Sequence, residues 1–197
     1  MNKTIGFIGL GNLGTPIVKN ILQSGYSVRI YNRTPTKVTD WISSLPSDLV
    51  SKIYHATSPK DAVPSPAGIV MSIVSNDSAL KQITTGEDGI ISGIGSDGIH
   101  VCLSTVSPSI TEELAKLHSA KGSFYVSCPV FGRPPVAAAK KLVAIPAGAP
   151  SAVDRVIPIL ECTAQKIVRA GDRPENSNIL KLCGNFMILA TVQACYA

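Results

Sequence analysis

Gly9-Leu10-Gly11-Asn12-Leu13-Gly14 has the spacing G-x-G-x-x-G. An apolar run, Thr4 to Leu10, leads into it. Beyond it come Pro16 and an apolar face at helical spacing: Ile17, Val18, Ile21 and Leu22. Strand, glycine turn and helix in that order give the spacing a mechanism. Gly9 permits the tight turn, Gly11 leaves room for a pyrophosphate, and Gly14 lets helix and strand pack closely. The pyrophosphate then meets the unpaired N–H groups and the positive dipole end of the helix. Gly9 to Gly14, with Asn12 and Leu13 between the glycines, is therefore the expected dinucleotide-binding loop.

The next expected strand, Ser27 to Tyr31, ends in Tyr31-Asn32-Arg33-Thr34. An acidic residue there would hold a ribose 2′-hydroxyl and repel a 2′-phosphate. Asn32 is neutral, Arg33 offers a forked donor to a phosphate, and Thr34 offers a hydroxyl. NADP(H) is the expected cofactor, with Asn32, Arg33 and Thr34 at its 2′-phosphate. Lys37, one turn on, suits plain surface equally well. Val74, Ser75 and Asn76 follow the fourth expected strand, on the adenosine side of such sheets. The stretch Ser75 to Asp77 equally suits a capped helix start.

Two further groups carry chemistry. Ser104 and Thr105 follow the fifth expected strand, where open sheets bind ligands, and can hydrogen-bond a substrate carboxylate. Ser107-Pro108-Ser109 with Glu112 is a helix-capping signal. Lys181 and Asn185 lie four apart on the last helical stretch and so share a face. Two readings of Lys181 stand. A desolvated lysine with a lowered pKa is a proton carrier; a lysine near a helix start can also snorkel to water. No histidine has ligand spacing, and His118 is expected to be exposed. Trp41 and the tyrosines are read as packing, and no metal site is expected.

These residues need strands and helices that alternate. Apolar runs are expected as strands at Lys52–Ala56, Gly68–Val74, Ile99–Leu103, Phe124–Ser127, Lys141–Ala147 and Lys166–Ala170. Helices are expected at Lys37–Ser44, Pro59–Val63, Asp77–Ile83, Ser109–Lys121 and Ser151–Cys162. Gly86–Gly98 and Pro129–Pro135 are expected as loops. The alternation predicts an α/β, Rossmann-type, doubly wound and mostly parallel sheet. From Asn176 or Ser177, either of which can cap it, the chain becomes a helix apolar almost all round, which calls for burial all round. The division expected is a nucleotide-binding domain over 1–172 and the start of a long helix of an all-α domain over 173–197, whose partners lie in a C-terminal part or a second subunit.

The formal charge is +5 over 197 residues, but the 18 Lys and Arg are scattered, which argues against nucleic acid and favours a polyphosphate or acid ligand. The five cysteines form no CxxC pair and are expected as buried free thiols. The start lacks a secretory pattern, and no apolar run of about 20 residues is read, so a cytoplasmic protein without a membrane span is expected.

The chain resembles the N-terminal part of the β-hydroxyacid dehydrogenase family, which includes 3-hydroxyisobutyrate dehydrogenases, glyoxylate/succinic semialdehyde reductases and related imine reductases. The matching stretches are IGFIGLGNLGTPIVKNILQSGYSVRIYNRT, Leu103 to Pro108, Cys128-Pro129-Val130-Phe131-Gly132 and Lys181 to Asn185. The resemblance implies Lys181 as catalytic lysine, Asn185 as its aid in placing substrate, and Ser104 and Gly132 in the substrate site. It implies an all-α domain after the long helix and a homodimer formed through that region. Two stretches depart from the family pattern: Phe131-Gly132-Arg133 replaces Ser-Gly-Gly, and Gly171 to Glu175 replaces a Gly-rich approach to the lysine. Arg133 is then a further contact for the acid group. The expected activity is hydride transfer between nicotinamide and a small hydroxy acid, aldehyde or related carbonyl compound. The alternative is a non-catalytic dinucleotide-binding scaffold or regulatory module. Oxidation of 6-phosphogluconate is a third reading, supported by little beyond Lys181 and Asn185.

Overall fold

The computed structural model describes residues 3–196. In chain order the first half holds β1 (Thr4–Ile8), α1 (Gly14–Gln23), β2 (Ser27–Tyr31), α2 (Pro35–Ser43), α3 (Ser47–Val50), β3 (Ile53–His55), α4 (Pro59–Ala62), β4 (Ile69–Ser72), α5 (Asp77–Thr85) and α6 (Ile90–Gly93). There follow β5 (Ile99–Cys102), α7 (Pro108–Ala120), β6 (Phe124–Ser127), β7 (Val130–Phe131), α8 (Pro134–Ala138), β8 (Leu142–Ala144), α9 (Pro150–Leu160), β9 (Ala164–Ile167) and α10 (Glu175–Tyr196).

Six strands form one parallel sheet in the order β3-β2-β1-β4-β5-β6. The apolar run of β1 lies at its centre, with Ile5, Phe7 and Ile8 buried, because helices cover both faces. The chain reverses direction across the sheet between β1 and β4. Their carboxyl ends, where Gly9 and Ile73 emerge, flank the crevice at which such sheets bind ligands. The apolar face of α1 is buried as its spacing required: Ile17, Val18, Ile21 and Leu22 are all 0% exposed. Gly25 ends that helix at φ +91°.

The alternation predicted one sheet, but the last strands form a second. In the order β7-β8-β9, β7 runs antiparallel to β8 and β8 parallel to β9. A bridge between Ser127 and Ala147 joins it to the end of β6. The side-chain amide of Asn20 on α1 donates to Ala137 O of α8 (2.8 Å), fixing the small sheet beside the first helix. One apolar cluster runs from Phe7 to Leu142 and Ala144.

Several expectations are corrected. Gly86–Gly98 is not all loop: Ile90 and Ile94 are buried and fold it into α6. Pro129–Pro135 holds β7 and the start of α8, elements too short for periodicity to show. The last strand lies at Ala164–Ile167, earlier than expected. Cys183 and Cys195 are exposed; Cys102, Cys128 and Cys162 are buried. Asn176 and Ser177 lie inside α10 rather than before it.

His118 is buried, not exposed. Ser123 donates to its backbone carbonyl (3.0 Å), so the serine oxygen accepts from His118 Nδ1 (3.0 Å). His118 Nε2 then accepts from His100 Nδ1 (3.2 Å), and Ser72 donates to His100 Nε2 (2.8 Å). This one-way chain keeps both rings neutral. Burial lowers the pKa of each, that of His118 to about 4.

The final helix buries the polar residues at its start and leaves its apolar remainder exposed within this chain. Its polar residues Glu175, Ser177, Asn178 and Lys181 are buried, while Phe186, Met187 and Leu189 are 71%, 67% and 69% exposed. Among the described residues it is the one helix long and apolar enough, by length and composition, to cross a membrane. Reading uninterrupted runs missed this, because Lys181 and Asn185 break the run without lowering its mean hydropathy enough.

Candidate active site

The glycine loop is built from three different constraints. Gly9 has φ +106°, and a Cβ on it would lie 2.1 Å from Ile73 O. A Cβ on Gly14 would lie 2.0 Å from Gly9 O. A Cβ on Gly11 would meet nothing within 4 Å. The protein itself therefore demands glycine at 9 and 14, whereas the space beside 11 is open. Gly9 N–H donates to Tyr31 O (2.9 Å) and Leu10 N–H to Asn32 Oδ1 (3.0 Å), tying the loop to the end of β2. Among the described residues no side chain caps α1, and its first turn carries no acidic residue. Its N-terminus is thus suited to an anion.

Beside the loop lies a cleft of about 360 Å³. Of the expected cofactor residues, Gly9, Gly11, Asn32, Arg33, Val74 and Ser75 line it. Asn12, Leu13, Gly14, Thr34 and Asn76 do not. Asn76 instead caps α5, accepting from Ala79 N–H (2.9 Å). Asn32 braces the loop, since its Nδ2 also donates to Thr34 O (3.0 Å). Arg33 is exposed and lines the cleft. Sequence reasoning missed Tyr31, Ala79, Gln82 and Ile83, and left Lys37 open between the cofactor and plain surface; all five line the cleft. The spacing 79, 82, 83 on α5 is one helical face and was the available signal.

The second group gathers along the same carboxyl edge of the sheet, after β5, and around β7. Ser104 is 2% exposed, and its Oγ accepts from Val74 N–H (2.8 Å), joining the loop after β5 to a cleft-lining residue. Thr105 is exposed. Ser107 caps α7, accepting from Ile110 N–H (3.3 Å), as its sequence signal required. Gly132 has φ +140°, and a Cβ there would meet Leu142 Cδ2 at 2.5 Å. Arg133 is exposed, just before α8.

Asn178 sets α10 in place. Its Oδ1 accepts from Ser127 Oγ (2.6 Å) and Thr111 Oγ1 (3.1 Å), and its Nδ2 donates to Val106 O (3.1 Å). Ser177 Oγ donates to Ser127 O (3.0 Å). One turn on, Lys181 is 8% exposed, so it does not snorkel freely into water. Its Nζ lies 3.6 Å from the centroid of the Phe131 ring. Among the described residues no carboxylate pairs with it, and burial lowers its pKa. Asn185, one further turn on, is half-buried. The fold thus brings Lys181 against the Phe131-Gly132 turn. None of Lys181, Asn185, Ser104, Thr105, Gly132 and Arg133 lines the cleft itself; Ser104 reaches it through Val74.

Residues 4–171 match the family model for the NAD binding domain of 6-phosphogluconate dehydrogenase. The chain is 36% identical over 190 residues to an uncharacterized oxidoreductase, YfjR, of Bacillus subtilis, covering 96% of this chain and 64% of that protein. The solved 3-hydroxyisobutyrate dehydrogenase of Mycobacterium tuberculosis superposes with TM-score 0.82 at 27% identity, over 99% of this chain and 62% of that one. A structure of Psf3 in complex with NADP+ and 2-OPP superposes with TM-score 0.82 at 27% identity, over 92% of this chain and 61% of that one. The chain thus spans about three-fifths of the length of these relatives. It belongs to the β-hydroxyacid dehydrogenase family of oxidoreductases and carries that family's dinucleotide-binding domain.

Proposed function

We propose that the protein is an NADP(H)-dependent dehydrogenase or reductase acting between a small hydroxy acid and the corresponding aldehyde or related carbonyl compound. The open space at Gly11 and the uncapped, acid-free start of α1 fit the pyrophosphate. Arg33 and Lys37 at the cleft edge fit a 2′-phosphate better than a bare ribose. The NADP+ named in the Psf3 structure supports the same choice. When bound, the cofactor supplies a hydride acceptor or donor at its nicotinamide.

The observation that carries the reaction class is Lys181: buried, without an acidic partner among the described residues, with a lowered pKa. In the oxidative direction its neutral amine takes the hydroxyl proton as hydride leaves the same carbon. In reduction the ammonium returns that proton to the carbonyl oxygen. Ser104, Thr105, Gly132 and Arg133 bind the acid end, and Asn185 places the substrate. A purely scaffolding role leaves the buried lysine unexplained.

The exposed apolar side of α10 is assigned to contact with an all-α region and a second copy of the chain, not with a membrane. The reading also keeps the protein cytoplasmic and off nucleic acid. The test is Lys181→Ala assayed for NADP+-dependent oxidation of 3-hydroxyisobutyrate and other short 3-hydroxy acids. Loss of turnover with NADPH binding retained supports the role; retained turnover refutes it.

A further inference from the structure

The ammonium of Lys181 sits in an environment with little to balance its charge. Among the described residues it has no carboxylate partner, and it is 8% exposed. What does face it is the ring of Phe131, with Nζ 3.6 Å from the centroid. A cation over an aromatic face is attracted by the ring quadrupole, more strongly when water is excluded.

That ring has its seat because of one residue on α10. A Cβ on Gly184 would lie 2.6 Å from Phe131 Cζ and 3.2 Å from Cε1. Glycine within a helix costs stability relative to alanine. Gly184 does not have positive φ, so the backbone conformation does not require it. Its need comes from Phe131. Lys181 and Gly184 are three apart on one helix and so lie on the same face. The ring spans them, with its edge in the notch at 184 and its face under the ammonium of 181. Gly132, fixed at φ +140°, sets the direction in which the chain leaves Phe131.

We propose that Phe131 is the positioning residue for Lys181, seated by the Gly184 notch, and that its π-face holds the amine in place and sets its proton affinity. This rests on the reading of Lys181 as proton carrier. Burial favours the neutral amine, whereas the ring favours the ammonium. The ring thus offsets part of the lowering that burial imposes.

The test is an NMR titration of the full chain carrying 13Cε-labelled lysine, with the Lys181 signal identified by its loss in Lys181→Arg. Phe131→Leu keeps an apolar side chain but removes the π-face, and should lower the Lys181 pKa by about one pH unit. Incorporating 3,5-difluorophenylalanine at position 131 keeps the ring's shape and weakens its negative face, and should lower it by a smaller amount. Gly184→Ala should displace the ring and lower it as Phe131→Leu does, with no further fall in the double variant. NADPH affinity should be unchanged in all of them. A Lys181 pKa that is unchanged or raised in the leucine and difluoro variants overturns the proposal; an unchanged value in Gly184→Ala overturns the notch. Failure of the proton-carrier reading is seen separately, as turnover surviving in Lys181→Ala.

Discussion

Ser127, at the end of β6, donates a 2.6 Å hydrogen bond to Oδ1 of Asn178 in the first turns of α10. Through it the long helix is registered against the sheet, and Lys181 is carried to the Phe131-Gly132 turn. Asn178→Ala would strand the hydroxyls of Ser127 and Thr111 and the carbonyl of Val106 in the interior. Buried groups left without partners cost more than the bonds they made. The variant should lose roughly 2–4 kcal/mol in urea unfolding. A loss below about 0.5 kcal/mol would mean that α10 is held by other contacts.

The glycine loop predicts opposite outcomes for neighbouring substitutions. Gly9→Ala and Gly14→Ala put a methyl against backbone oxygens at 2.1 and 2.0 Å and should reduce stability. A methyl at 11 has open space beyond its chain neighbours, so in Gly11→Ala thermal unfolding should stay at the wild-type temperature. Its NADPH affinity should nonetheless fall at least about tenfold, because the methyl occupies the pyrophosphate's approach. Equal effects of Gly11→Ala on stability and binding would contradict this division.

Much of the first half was legible in the sequence because β1 and α1 each carry a full period of apolar residues beside the glycines. The second half was less so. Phe131 lies in a two-residue strand that no periodicity can reveal. The contact of His100 with His118 joins residues 18 apart, and nothing in a helical histidine's neighbours announces burial. Gln82 and Ile83 reach the cleft only because α5 turns one face toward it. The buried polar turn of α10 was hidden by the apolar residues that follow it.

The histidine chain makes a prediction about acid. His118 has a folded pKa of about 4, below its unfolded value, so the unfolded chain takes up the proton first. Its contribution is complete above about pH 6.5 and is lost as pH falls from there toward 4. The loss from this group is about 3 kcal/mol over that interval. Burial lowers the pKa of His100 as well, which acts in the same direction. Urea midpoints measured at pH 7.5, 6, 5 and 4 should fall steadily, and His118→Gln should flatten the fall. A midpoint constant between pH 7 and 4.5 would show that the rings take up protons within the fold.

Cofactor choice should rest on the end of β2. Asn32→Asp keeps an acceptor for Leu10 N–H but brings a carboxylate to the position that repels a 2′-phosphate. It should weaken NADPH binding by about tenfold or more while leaving NADH binding nearly unchanged. Competitive displacement of each cofactor from the variant would read this directly. Equal weakening for both cofactors would make Asn32 solely a brace of the glycine loop.

Cofactor choice at the end of β2 is read most directly by calorimetric titration of the protein with NADPH and with NADH, repeated on Arg33→Ala. NADPH should bind at least about tenfold tighter than NADH, with the preference largely lost in Arg33→Ala. Equal affinity for the two cofactors, or a preference untouched by removal of Arg33, would contradict this assignment.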